Sequence, residues 1–190
     1  MKKNSILTII IALVVSFSAV GQSKYFTRSG KIIFNATSPS SPEKIEASND
    51  KATSMLDFSS GQMEFAVLMK AFAFEKALME EHFNENYVES DKFPKATFKG
   101  SVKNISDVIL TKDGSYTARI AGKLTIHGVT KDVETTGTII VKGSSITAKS
   151  DFKIQLSDYG IEVPNLVSDK VAKEASISVN INYEPFKKAS

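Results

Sequence analysis

The chain has 190 residues, with 24 Lys and Arg against 21 Asp and Glu, a net charge of +3, two histidines and no cysteine. That length allows one domain or a small pair. The near balance of charge supplies no basic field for nucleic acid. The missing cysteines exclude disulfide staples, thiol catalysis and acylation of a lipoprotein cysteine.

Lys2 and Lys3 open the chain, Ile6 to Phe17 is apolar except for Thr8 and Ser16, and Ala19-Val20-Gly21 places small residues before Gln22. This is the pattern of a secretory signal peptide over 1–21, cleaved before Gln22. A retained membrane anchor is the rival reading, but the run is short of the roughly 20 residues a span needs. Residues 22–190 form the expected domain, and without Lys2 and Lys3 its net charge is +1. The location this implies is periplasmic or secreted, with no stable membrane insertion after cleavage.

Lys31–Thr37 reads as a first strand, broken by Ser38-Pro39-Ser40-Ser41-Pro42. Lys44–Asn49 alternates weakly and Ala52–Phe58 more clearly. Met63, Phe65, Val67 and Met69 then share one strand face. Phe74–Phe83 changes character. It holds good helix formers and no β-branched residue, with Phe74, Leu78 and His82 spaced by four, as are Met79 and Phe83. It predicts one short amphipathic helix laid at the mouth of the β-structure.

Strands resume with Ala96, Phe98, Gly100 and Val102 on the inward face, and Lys112-Asp113-Gly114 reads as a hairpin turn. Next comes the longest alternation, Tyr116, Ala118, Ile120, Gly122, Leu124 and Ile126 against Thr117, Arg119, Ala121, Lys123, Thr125 and His127. A turn at His127-Gly128 leads to Val133, Thr135, Gly137, Ile139 and Val141. Lys142-Gly143-Ser144 turns the chain again. Ile146, Ala148, Ser150, Phe152, Ile154 and Leu156 alternate in the next strand. After an excursion over 157–174 the last strand carries Ile177, Val179, Ile181 and Tyr183.

Eight or nine strands joined mostly by short turns, without a βαβ rhythm, predict an all-β fold: a single antiparallel up-and-down barrel with one short helix. A sandwich is the alternative closure. A transmembrane barrel is disfavoured because the polar faces are rich in Lys, Asp and Glu, which suit water. The inward faces mix bulky residues with Ala96, Gly100, Ala118, Gly122, Gly137, Ala148 and Ser150. Such small residues either leave room for one ligand or relieve crowding where the barrel tapers. A bore this apolar suits a long hydrocarbon chain, at about 0.8 kcal/mol for each buried CH₂.

Three segments, in order, carry a resemblance: Asp91-Lys92-Phe93-Pro94-Lys95-Ala96-Thr97-Phe98-Lys99-Gly100, Gly122-Lys123-Leu124-Thr125-Ile126-His127-Gly128-Val129-Thr130-Lys131, and Leu156-Ser157-Asp158-Tyr159-Gly160-Ile161. Together they resemble the motifs of the YceI-like family of exported polyisoprenoid-binding proteins. Leu78, His82-Phe83 and Tyr87 occupy the place of that family's helix. The resemblance implies a lipocalin-like barrel whose bore holds a polyisoprenoid or similar chain, in the periplasm. The chain departs from the family pattern at Phe26-Thr27-Arg28-Ser29-Gly30, at Glu75-Lys76 and at Leu156. These changes bear on the ligand's polar head more than on its tail.

The ligand-lining set expected on this basis is Met63, Phe65, Val67, Met69, Leu78, His82, Phe83, Phe98, Tyr116, Ala118, Ile120, Gly122, Leu124, Phe152 and Ile154. His127 reads as a solvated turn residue, and two histidines without carboxylate spacing make no zinc site. Asp151 and Asp158 beside Ser150 and Ser157 come without a nucleophile elbow. No catalytic residue, metal or cofactor is expected. The expected function is non-enzymatic sequestration or carriage of a polyisoprenoid or similar long-chain amphiphile. An exported structural or interaction protein with a filled barrel is the alternative, and a homodimer stays open.

Overall fold

The computed structural model describes residues 23–186, and the expected signal peptide lies outside them. Long runs of alternating residues build β1 (Lys24–Thr37), β2 (Glu46–Asp57), β3 (Gln62–Leu68), β4 (Ala73–Phe74), β5 (Lys95–Val102), β6 (Gly114–Ile126), β7 (Val129–Lys142), β8 (Ser145–Gln155) and β9 (Val171–Pro185). All pairings are antiparallel, and β1 pairs with both β2 and β9. The sheet therefore closes as an eight-stranded up-and-down barrel, the architecture the alternation predicts.

The two-residue β4 pairs with β2 beyond the end of β3. Asn49 fills the gap between them. It is fully buried, its Nδ2 donates to the Leu68 carbonyl at 2.9 Å, and its Oδ1 accepts from the Lys51 amide at 2.8 Å.

Three local expectations need correction. β1 starts at Lys24 rather than Lys31, because register shifts around Gly30 break the alternation that would have revealed it. The helix is α1 (Ala77–His82), prolonged by a π turn over Phe83–Tyr87, and Phe74 belongs to β4 instead. Lys112-Asp113-Gly114 is no tight hairpin. It ends a longer connection that includes the 3₁₀ turn Ile105–Asp107.

The connections 38–45, 69–94, 127–128 and 156–170 all fall at one rim, the upper rim here. At this end Phe83 stands 5.0 Å from Phe74, 5.5 Å from Phe34 and 5.6 Å from Phe72, ring centre to ring centre. Val88, Leu156, Tyr159 and Ile161 are buried in the same core. The lower end holds a second core of Leu56, Val102, Ile139, Val141 and Ile181, covered by Ile105, Val108 and Leu110.

Tyr183 is the polar element of the lower core, its hydroxyl 2.7 Å from that of Ser54. Burial pushes its phenol far above the ordinary tyrosine range. A raised phenol leaves stability intact below the unfolded-state pKa of about 10 and removes it as pH climbs higher. The melting temperature should thus decline above pH ~10, where unfolded tyrosine ionises. Ultraviolet titration should show one phenol that ionises only on unfolding, and Tyr183→Phe should abolish that late step.

A candidate ligand cavity in the bore

Between the two packed ends the bore contains a cavity of about 280 Å³. Its size falls just below the roughly 300–1,000 Å³ range of small-molecule sites. The inward faces of the long strands converge on it. Of the expected lining residues, Met63, Phe65, Val67, Met69, Phe83, Phe98, Ile120, Leu124, Phe152 and Ile154 border this space.

The other five lie elsewhere. Leu78 is 61% exposed and His82 is also exposed, because α1 rests on the rim with its Leu78 side outward and leaves only the following Phe83 to plug the barrel. Tyr116 donates its hydroxyl hydrogen to the connection below the barrel, near the Lys112 carbonyl at 2.9 Å and the Ile109 carbonyl at 3.2 Å. Ala118 is sealed in the lower core. Gly122 faces its β5 partner Gly100, and a Cβ there would meet the Gly100 Cα and the Lys99 carbonyl at 2.5 Å. Its missing side chain leaves room for neighbouring backbone and for the Phe98 ring, so this glycine relieves packing.

Sequence reasoning missed Ile32, Phe34, Phe72, Val88, Ile161, Val179 and Ile181. The β9 residues were visible in the alternation, and so were Ile32 and Phe34. Phe72, Val88 and Ile161 sit in irregular connections, where no periodicity marks an inward side chain.

His127 is no solvated turn residue. With φ +50° at His127 and +75° at Gly128, the turn joining β6 to β7 is a two-residue loop of the type that matches strand twist. The imidazole is 14% exposed. Its Nδ1–H donates to the Tyr159 carbonyl at 3.1 Å, and its Nε2 lies 2.7 Å from a Glu89 carboxylate oxygen. Phe93 packs edge-on against it at 4.6 Å. The three family-like segments thus meet at one point on the upper rim: Phe93 from the first, His127 from the second and Tyr159 from the third. Among the described residues no group of three or more His, Asp or Glu side chains could hold a metal ion.

An eight-stranded up-and-down barrel enclosing an apolar cavity is a lipocalin-like architecture. The YceI-like domain profile matches residues 18–183, and the chain belongs to that family. Two solved structures share the fold. A polyisoprenoid-binding domain from Saccharophagus degradans superposes with a TM-score of 0.73 at 13% identity, covering 87% of this chain and 99% of that one. BcnA of Burkholderia cenocepacia superposes with a TM-score of 0.65 at 18% identity, covering 82% of this chain and 96% of its own. No curated protein matches the sequence at a significant level.

Two substitutions separate packing from lining. Gly122→Ala should destabilise the barrel by about 1–3 kcal/mol through overpacking, read from urea unfolding. His127→Asn tolerates the left-handed backbone but is too short to bridge Glu89 and Tyr159. It should cost about 1–2 kcal/mol in the same measurement.

Proposed function

We propose that this protein is an exported, non-enzymatic binding protein that sequesters or carries a polyisoprenoid or similar long-chain amphiphile, with the apolar chain in the bore. The observation that carries this reading is the cavity itself. It lies inside a closed barrel, and the side chains facing it from β3, β5 and β9 are apolar: Met63, Phe65, Val67, Phe98, Ile177, Val179 and Ile181. An empty apolar hole inside a packed core forfeits dispersion contacts on every side. A hydrocarbon entering it regains them and leaves water at the same time. The polyisoprenoid-binding domain of the same fold supports the class of ligand. The pattern over 1–21 supports export.

Such a wall selects for apolar chains and discriminates poorly among them, because dispersion and hydrophobic burial lack direction. The polar end of the ligand then contributes little to affinity inside the bore. Glu81 and His82 are exposed on α1 and the Glu80 carboxylate accepts from the Phe74 amide at 3.2 Å, so none of the three borders the bore.

Native mass spectrometry of protein purified without detergent should reveal an added mass that extracts into organic solvent. Ala148 lines the bore, and Ala148→Leu should displace about two methylenes of ligand, worth ~1.6 kcal/mol at 0.8 kcal/mol each. Affinity for a fluorescent isoprenoid should fall about tenfold, with the circular dichroism spectrum unchanged. Repeated absence of bound lipid and of probe uptake by the wild-type protein would leave a filled barrel as the correct description.

A further inference from the structure

Both ends of the bore are packed, yet the wall beside the cavity opens where β7 and β8 part. β7 and β8 pair from the turn at 143–144 only as far as Gly137 and Ser150. Above that point β7 continues to pair with β6 down to Val129, and β8 with β9 up to Gln155. The facing edges of 129–136 and 151–155 therefore carry no ladder between them. At the fork the Ser150 hydroxyl donates to the Thr136 carbonyl at 2.9 Å, where the next ladder bond would form. Gly137 permits the close approach just before the strands part, since a Cβ there would meet the Lys149 carbonyl at 2.6 Å. The 3₁₀ turn Leu156–Tyr159 closes the top of the break against β7, held by the His127 bond to Tyr159.

The cavity reaches this break. Glu134, Lys149 and Lys153 point away from the bore, yet all three border it. Thr97, the other outward-facing residue on its border, lies in a wall whose pairing is continuous on both sides. A cavity this small holds only part of a long chain, and the remainder needs a way out.

We propose that the β7–β8 slit is the portal through which the chain of a single-tailed amphiphile enters and leaves the bore, with its polar end outside between Glu134 and Lys149. The proposal rests on the lipid-binding reading above. The rim carries both signs of charge, and Lys153 is already paired with Glu174 at 2.7 Å. The slit therefore wets a polar group without selecting its sign.

The absence of native cysteine makes a cross-linking test clean. Glu134→Cys with Lys153→Cys places one thiol on each lip of the slit. Ile140→Cys with Thr147→Cys joins a paired position below the fork, away from the cavity border, and serves as the control. Each pair is bridged with a short bis-maleimide, and exchange of a fluorescent geranylgeranyl probe is followed by stopped flow, with stoichiometry from native mass spectrometry. The slit cross-link should slow uptake and release at least tenfold, or block uptake outright, while the control cross-link leaves both near wild type. Unchanged rates in the slit-bridged protein, or equal slowing by both bridges, would overturn the portal and leave the lipid-binding reading standing. Failure of the unbridged protein to take up the probe would sink that reading, and the portal with it.

Discussion

The double pairing of β1 is the constraint on which the structure depends. A sheet of eight strands with two open edges would expose two rows of unpaired amides and carbonyls. By joining β2 on one side and β9 on the other, β1 removes both edges and gives every inward side chain the same interior. That closure exacts register shifts near Gly30, where a Cβ would strike Ile181 at 2.4 Å and leave the strand no room to bend inward. Once the circumference is set, the free space inside is whatever the side chains fail to fill. One core gathers around the Phe83 ring cluster at the upper end and the other around Leu56, Ile139 and Ile181 at the lower, and the cavity is what remains between them.

Glycine has a different meaning in this barrel from the one small inward residues first suggest. Gly100 and Gly122 face each other across β5 and β6, and the Phe98 ring lies over both. The volume their side chains would have taken is occupied by strand backbone and by that ring. Ala148 and Ala96 border open space instead. Small residues thus divide into those that let strands touch and those that leave a hole, and only the three-dimensional neighbours tell them apart.

The fold was legible because period-2 alternation runs so far along β6, β7, β8 and β9 that no helix competes with it. Most of the wall of the bore followed from the same alternation. What stayed hidden lies where periodicity stops. The helix stripe through Leu78 and His82 looked apolar enough to face inward, but α1 is so short that tertiary contact at Phe83 decides its orientation. The break between β7 and β8 is not marked by the alternation, since Val133, Thr135 and Gly137 keep their period on one lip and Phe152 and Ile154 on the other, and the exposed Lys131 near the start of β7 says nothing of the strand beside it. Pairing is a property of two strands, and a single strand's pattern does not report its neighbour's distance.

Glu89 and His127 are the two non-glycine residues with positive φ among the described residues, at +42° and +50°, and their side chains contact each other. Each sits in a backbone region that costs free energy and persists only when its surroundings hold it there. Here each is part of the other's surroundings. If either segment opens, the other loses the contact that keeps it in place, so the link after α1 and the β6–β7 turn belong to one cooperative unit. Their amides should then share a common hydrogen-exchange rate, although 38 residues separate them in the chain.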